Sequence, residues 1–213
     1  MIGMITSRVR CRAAAVVLSL SAVLATSAAT APAQSPTSTP AKAAAAFAGA
    51  AAPTCPRFED PVHAAVDRRV DVGRITPEPV WRKSCGTLYR SDSRGPAVVF
   101  EQGFHPKDVI DGQYDIEQYV LVNQPSPYVS TTYDHDLYKT WYKSGYNYYI
   151  DAPGGVDVNK TIGDQHKWAD QVEVAFPGGI RTEFVIGVCP VDKKTRTEKM
   201  SECVSNPHYE PWH

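Results

Sequence analysis

An amide and a carboxylate stand two residues apart in Gln171-Val172-Glu173, and an apolar run follows them. In a strand or an extended loop, residues two apart point to the same side of the chain. A carboxylate there can stabilise positive charge in a transition state, and an amide can hydrogen-bond the edge of a substrate. The pair would equally suit a solvated strand face, so its meaning depends on the motifs that accompany it.

An arginine follows a short apolar pair upstream. Leu88 and Tyr89 indicate the end of a short strand, after which Arg90 is expected to project where the chain turns. A guanidinium at such a turn suits bidentate phosphate binding. A surface ion pair with Asp92 is the plainer alternative.

A run of hydroxyl residues lies between these two motifs. Residues 128–132 (Tyr-Val-Ser-Thr-Thr) alternate in a way that predicts a strand, with Ser130 and Thr132 on one face and Thr131 on the other. An ordinary ladder of sheet hydroxyls would explain the pattern. The functional interpretation is that Ser130 holds a catalytic carboxylate in place by hydrogen bonding.

The order arginine, Ser-Thr-Thr, Gln-x-Glu resembles the catalytic signature of mono-ADP-ribosyltransferase toxins of the cholera and pertussis type. Trp168 before the Gln-x-Glu motif and residues 176–180 (Phe-Pro-Gly-Gly-Ile) after it are similar to the scabin- and pierisin-like branch, which modifies guanine in DNA. The resemblance covers roughly residue 55 to the C-terminus. It implies NAD as the co-substrate and no metal.

The resemblance also implies roles for the matching residues. Arg90 would contact the phosphates and ribose of NAD, and Ser130 would position Glu173. Glu173 would hydrogen-bond the nicotinamide ribose and stabilise an oxocarbenium-like transition state. Gln171 would recognise the guanine.

Five further positions match the family around this centre. Asn123 resembles an additional residue of the NAD pocket. Trp141, Tyr142 and Lys143 resemble the loop that covers the phosphate and the nicotinamide. Trp168 resembles the aromatic residue of the target-recognition loop. The resemblance therefore implies that Trp141 faces NAD, while Tyr142, Lys143 and Trp168 serve the substrate side.

The N-terminus has the pattern of a secretion signal. Arg8, Arg10 and Arg12 form a basic region, residues 13–25 are apolar but short of a membrane span, and residues 31–33 (Ala-Pro-Ala) suit cleavage. We expect a signal peptide at 1–33, with an uncleaved anchor as the alternative. Residues 34–53, rich in Pro, Ser, Thr and Ala, predict a linker or a processed segment. Residues 54–213 would form one secreted catalytic domain that is free of the membrane.

Four of the five cysteines remain after such cleavage, namely Cys55, Cys85, Cys189 and Cys203. An even number in an exported domain predicts two disulfides. Three pairings are possible, and we favour Cys55–Cys85 and Cys189–Cys203 because each closes a modest loop. A zinc site is the alternative, but the chain has no Cys-x-x-Cys pair.

The charge balance conflicts with a simple DNA-binding protein. Removing residues 1–33 takes away three arginines and no acid, so the net charge changes from −1 to −4, with 19 basic and 23 acidic side chains. Proteins that hold duplex DNA by neutralising its phosphates are usually basic. Either a local basic patch meets nucleic acid, or the target is a small guanine compound or an exposed base.

The remaining patterns predict an α+β fold. Residues 61–70 have the spacing of an amphipathic helix, and 108–122 that of a second helix with Asp108 as its cap. Residues 146–150 and 172–175 predict strands, and 182–188 predicts a buried strand. Two packed β-sheets with peripheral helices and an NAD cleft between the sheets are implied by the resemblance.

Other functions receive less support. The chain lacks the Gly-x-Gly-x-x-Gly fingerprint of dinucleotide folds and the Gly-x-Ser-x-Gly elbow of hydrolases. A protein-directed transferase and a non-enzymatic, disulfide-linked binding module stay open as alternatives. We expect a monomer without a stable protein partner.

Overall fold

The structure, a computed structural model, describes residues 55–122 and 124–213. The predicted signal peptide (1–33) and linker (34–53) lie outside the described residues, and so does Asn123. Cleavage and the role of Asn123 therefore stay predictions. The described residues all belong to one compact unit, Ala51–His213.

Eight strands and three α-helices are found in the described ranges. The strands are β1 Leu88–Asp92, β2 Tyr128–Thr132, β3 Tyr146–Ile150, β4 Val156–Asp157, β5 Glu173–Pro177, β6 Val185–Asp192, β7 Thr197–Glu198 and β8 Val204–Ser205. The helices are α1 Pro96–Gln102, α2 Ile116–Val122 and α3 Val158–Ile162. Short 3₁₀ turns join several of them, and the α+β prediction is confirmed.

The strands follow the order β4-β5-β2-β1-β3-β6-β7, and β8 pairs with β6. All of these pairings are antiparallel. β1 and β2 meet through a single residue pair, Tyr89 with Thr132. The two sheets implied by the resemblance are therefore two halves of one continuous sheet. The first half contains β5 and β2, and the second contains β1, β3 and β6.

The two halves share one apolar core. Val129, Val174 and Phe176 from the first half pack in the same cluster as Leu88 and Tyr148 from the second. A second cluster covers the other face of the first half, where α2 and α3 contribute Ile116 and Val158 beside Ala175 of β5. This arrangement places β1, β2 and the start of β5 next to one another.

The helix predicted at 61–70 is wrong. The segment forms turns, because tertiary contacts use its backbone groups: the amide of Asp67 donates to the carbonyl of Gly178, and the amide of Arg181 donates to the carbonyl of Ala64. Ala64 and Val70 are nevertheless buried, so the apolar spacing correctly predicted which residues enter the core.

The second predicted helix begins later than expected. The Asp108 carboxylate accepts hydrogen bonds from the amides of Ile110 and Asp111, which closes a turn instead of capping a helix. Helix α2 starts at Ile116, and the carboxylate of Asp115 accepts from the amide of Gln118. Capping by Asp115 is the usual way an aspartate starts a helix.

The predicted strands are found with shifted ends. The strands at 128–132 and 146–150 match β2 and β3. β5 starts at Glu173, and a 3₁₀ turn at Thr182–Phe184 delays β6 to Val185.

Both favoured disulfides are present. Cys55 bonds to Cys85 with a Cα separation of 5.5 Å, and Cys189 bonds to Cys203 at 4.2 Å. Because all four thiols are used in disulfides, they are not zinc ligands. In the described part of the chain, no helix has both the length and the apolar character needed to span a bilayer.

Candidate active site

A cleft lies where β1, β2 and the start of β5 come together. It has three sections, and Ser130 lines all of them. The central section is lined by Tyr89, Arg90, Ser91, Ser130, Thr131, Thr132, Leu137, Tyr138, Trp141, Ser144, Asn147, Gln171 and Glu173. The structure thus brings Arg90 and Ser130, which are far apart in sequence, into one cavity with Gln171 and Glu173.

Glu173 is the first residue of β5, and only 8% of its surface is exposed. The hydroxyl of Tyr119 donates a hydrogen bond of 2.6 Å to its Oε1. Burial raises the pKa of Glu173, while hydrogen bonds from Tyr119 and Ser130 and the positive charge of Arg90 act in the opposite direction. These three groups favour the ionised carboxylate in a site that otherwise disfavours it.

Glu173 is the carboxylate that faces the cleft: among the described residues that line its three sections, no other is acidic. Glu198 lies nearby, but its side chain is 5% exposed and accepts hydrogen bonds from Tyr149 and Asn147, with His135 also in contact. It therefore stabilises the wall of the cleft instead of facing its interior.

Arg90 lies in the middle of β1, so the expected turn at this residue is wrong. Its Nε and one terminal nitrogen contact Asp92 at 3.1 Å, and its other terminal nitrogen donates to the carbonyl of Ser130 at 2.7 Å. The ion pair considered from the sequence is present, and Arg90 still lines the cleft. Of the five N–H groups of a guanidinium, two are left for a ligand.

Asp92 holds two arginines at once. Arg94 donates to its carboxylate at 2.9 and 2.7 Å, beside the contacts from Arg90. Burial alone would raise the pKa of Asp92, but the hydrogen bonds from Arg94 and the charge of Arg90 lower it to about 2. The buried carboxylate therefore stays ionised and fixes both guanidinium groups.

One end section of the cleft is basic. Arg94, His105 and Lys107 line it together with Arg90 and Ser130. No acidic residue is among its described lining residues. Several cations around a partly enclosed space suit a ligand with more than one negative charge, such as a pyrophosphate.

Gln171 lines the cleft, but it precedes strand β5 and does not alternate with Glu173 within one strand, as the sequence predicted. It ends a 3₁₀ turn, Ala169–Gln171, and the next residue, Val172, has a left-handed backbone with φ of 40°. Such a conformation is strained for a β-branched residue. The Thr132 hydroxyl fixes the turn by donating to the carbonyl of Gln171 at 2.7 Å.

The hydrogen bonds of Gln171 to other described residues involve its backbone and not its side-chain amide, which lines the cleft beside Glu173. Its N–H and carbonyl groups are available to a ligand. The Thr131 hydroxyl, in contrast, donates to the carbonyl of Val174 within the sheet. The ladder of sheet hydroxyls considered from the sequence therefore describes Thr131, whereas Ser130 lines the cleft.

Trp141 and Trp168 border the remaining end section together with Gln171 and Glu173. Trp141 is 45% exposed. Tyr142 and Lys143 do not line the described cleft; they form the adjoining 3₁₀ turn, Tyr142–Ser144. Of the residues that the family resemblance suggested around the centre, the two tryptophans are therefore at the cleft.

Tyr119 is the residue that the sequence interpretation missed. It lies on α2 between buried Ile116 and Val120, which face the second core cluster. A tyrosine beside the buried positions of a short helix is a weak signal of a buried hydroxyl. Its partner, Glu173, is 54 positions away and could not be inferred from that signal.

Known proteins resemble this chain in both sequence and structure. A family model described as Scabin-like matches residues 88–209. A guanine-specific ADP-ribosyl transferase of Streptomyces coelicolor is 79% identical over 163 residues, which are 76% of this chain and 80% of the relative. Pierisin of Pieris brassicae is 38% identical over 110 residues, which are 46% of this chain but 13% of pierisin.

Among solved structures, the Scabin toxin of Streptomyces scabies in complex with NADH superimposes with a TM-score of 0.76 and 92% sequence identity. The match covers 78% of this chain and all of that one. The predicted ADP-ribosyltransferase fold is thereby confirmed. With a family model that spans residues 88–209 and relatives of this identity, the chain belongs to the Scabin-like family of ADP-ribosyltransferases.

Proposed function

We propose that this protein transfers ADP-ribose from NAD to the exocyclic amine of guanine, in DNA or in smaller guanine compounds. The observation that carries the proposal is the arrangement of one cleft. The ionisable Glu173 lies beside the amide of Gln171, which has no partner among the described side chains, and a basic section begins at Arg90. The named activity of the relative from Streptomyces coelicolor supports the choice of guanine.

NAD fits the cleft with its pyrophosphate in the basic section. There Arg90, Arg94 and Lys107 supply positive charge, and the two free N–H groups of Arg90 can donate to phosphate oxygens. Ser130 lines all sections, so it lies between the phosphates and Glu173. The nicotinamide ribose would then lie against Glu173, which is where positive charge develops.

Glu173 is proposed to stabilise the transition state. The bond between the ribose C1 and the nicotinamide nitrogen breaks, and both electrons leave with neutral nicotinamide. Positive charge spreads over the ribose ring, close to the carboxylate. The exocyclic amine of guanine then forms the new C–N bond to C1 and loses one proton to solvent. Water reacting in place of guanine gives hydrolysis of NAD as a side activity.

Gln171 is proposed to select the acceptor. Its amide offers one acceptor and two N–H donors, which complement the amine and the O6 atom of guanine. Guanine is a weak nucleophile through its amine, so holding it in line with C1 matters more than activating it. Trp141 and Trp168 would cover the reacting centre and limit attack by water.

We propose further that the protein acts outside the cell as a monomer. The two disulfides suit an oxidising compartment, and the sequence pattern of residues 1–33 predicts export. The cleft is built from the residues of one chain. Mass analysis of the protein in culture medium and size-exclusion chromatography would test the export, the cleavage site and the monomeric state.

A label-transfer assay tests the central proposal. Wild-type protein and labelled NAD are incubated with guanosine, adenosine, oligonucleotides with and without guanine, and a protein extract. We expect label on guanosine and on guanine-containing oligonucleotides, and nicotinamide release without an acceptor. Labelling of protein alone would replace guanine by a protein target, and the absence of nicotinamide release under all conditions would exclude an enzyme.

A further inference from the structure

We propose that four cations beside the cleft bind the phosphodiester backbone of a nucleic acid whose guanine is in the active site. We call this set the basic turn: Lys193, Lys194 and Arg196 from the turn between β6 and β7, together with Lys143. The inference rests on the proposed guanine transfer. It adds the place on this chain where the phosphates that flank the modified base of a polynucleotide are held.

The basic turn packs against the segment that borders the cleft. The guanidinium of Arg196 lies 4.4 Å from the ring centre of Tyr142. The Cε and Nζ atoms of Lys193 lie 3.7 and 4.0 Å from where a Cβ atom would stand on Gly145. Trp141 and Ser144, in the same segment, line the central section with Glu173. The cations are thus adjacent to the active site.

These cations are free to bind an external anion. Arg196 stacks on Tyr142, and the three lysines have no side-chain partner in the described ranges. None of the four cations has a carboxylate within ion-pair distance in those ranges. Asp192 is nearby, but its carboxylate accepts from the amides of Lys194 and Thr195 at 2.8 and 3.0 Å. Asp192 therefore stabilises the turn that presents the lysines.

The turn is held in place from both sides. Arg196 has a left-handed backbone with φ of 56°, and its amide donates to the carbonyl of Asp192 at 2.8 Å. β6 is tied to the chain beyond β7 by the disulfide between Cys189 and Cys203. Because the backbone of the turn is fixed, no loop has to become ordered on binding, so these exposed cations can contribute to affinity.

A polynucleotide fits this surface better than a single nucleotide does. The cleft itself takes NAD and one base, while the basic turn lies outside the residues that line it. Exposed cations next to aromatic side chains, here Tyr142 and Trp141, are typical of surfaces that follow a nucleic-acid strand. This local patch answers the conflict between a net charge of −4 after cleavage and a nucleic-acid target.

The test compares two charge-reversal variants. K193E/K194E alters the basic turn, and R57E/K83E makes the same change in net charge at a separate cavity that shares no described lining residue with the cleft. Binding of a fluorescent single-stranded oligonucleotide, with one guanine flanked by thymines, is measured by anisotropy over a range of salt concentrations. Transfer to this oligonucleotide, transfer to guanosine and NAD hydrolysis are measured in parallel.

We expect K193E/K194E to bind the oligonucleotide at least about tenfold more weakly at low salt. The slope of log affinity against log salt should fall in magnitude by about 1.4, about 0.7 for each lysine on a single strand. Transfer to the oligonucleotide should fall in proportion, while transfer to guanosine and NAD hydrolysis stay at the wild-type rate. R57E/K83E should resemble the wild type in every assay. If K193E/K194E loses its fold, the neutral variant K193Q/K194Q is measured in the same assays.

Oligonucleotide affinity and a salt slope equal to those of R57E/K83E would overturn the proposal. Equal losses for guanosine and for the oligonucleotide would also overturn it, because the effect would then lie in the active site. The binding assay does not depend on catalysis. Weaker binding by K193E/K194E, combined with no labelling of either guanosine or the guanine-containing oligonucleotide by the wild type, would support the basic turn and reject the guanine assignment.

Discussion

The hydroxyl of Tyr119 lies 2.6 Å from Oε1 of Glu173, in a cleft where the carboxylate is almost fully buried. Burial raises the pKa of Tyr119 well above its usual range. The phenol therefore stays protonated at all ordinary assay pH values and donates a hydrogen bond to Glu173. Helix α2, which carries Tyr119, thereby contributes directly to the charge state of the proposed catalytic group.

Tyr119→Phe should move the acid limb of NAD hydrolysis to higher pH. Glu173 must be ionised to act, and burial already places its pKa above that of an ordinary glutamate. The lost hydrogen bond favoured the ionised form, so its removal raises this pKa further. The measurement is kcat against pH. Tyr209→Phe, which removes a phenol hydrogen bond to Asp151 away from the cleft, is the control. Overlapping profiles for Tyr119→Phe and the wild type would contradict this role.

Glu173→Gln should lower nicotinamide release and guanine transfer by on the order of 10²–10³, because one preorganised electrostatic group is lost. The amide has nearly the shape of the carboxylate, so NAD should still bind. Quenching of tryptophan fluorescence measures the affinity for NAD, and product analysis measures both reactions. A folded variant that keeps more than about a tenth of the wild-type rate would show that another group stabilises the transition state.

Arg90→Lys should weaken NAD binding by about tenfold or more. A lysine cannot contact Asp92, the carbonyl of Ser130 and a phosphate together as the guanidinium can. Titration with NAD tests this, and Arg57→Lys at the separate cavity is the matched control. An unchanged Kd for Arg90→Lys would mean that the pyrophosphate is held elsewhere.

Gln171→Ala should reduce transfer to guanine much more than hydrolysis of NAD. The amide has no charge to offer the breaking bond, and its proposed role is to hold the base. Paired assays, nicotinamide release without acceptor and label transfer to guanosine, give the ratio of the two losses. Equal losses would place Gln171 in the NAD site, and full retention of transfer would mean that other groups recognise the guanine.

The disulfides should differ in what they stabilise. Cys189→Ser with Cys203→Ser opens a loop with a separation of 14 residues, and Cys55→Ser with Cys85→Ser opens one of 30. Loop-closure entropy predicts losses of about 3 kcal/mol and slightly more, respectively. Chemical denaturation of the wild type and of each double variant tests this. Loss of Cys189–Cys203 should also loosen the basic turn and weaken oligonucleotide binding, whereas an equal effect on binding from both pairs would contradict that link.

The sequence alone determined the identities of the central residues and the class of the fold. Alternating residues in β2 and β3 predicted those strands because the period of side-chain burial in a strand is local and visible. The spacing of the cysteines favoured the pairings that the structure contains. The ordered motifs of Arg90, Ser130 and Glu173 pointed to the family, although no local pattern placed the three side chains in one cavity.

Tertiary structure decided what depends on distant contacts. Residues 61–70 have helical spacing, but their amides and carbonyls bond to residues near 180, and a helix would have to give up those bonds. Gln171 enters the cleft because Val172 takes a left-handed backbone, which local propensity disfavours and the surrounding sheet imposes. Tyr119 meets Glu173, and the basic turn meets Tyr142, only after the sheet brings separate segments together. Such contacts are set by packing across the whole domain, and for that reason the sequence carries no short-range sign of them.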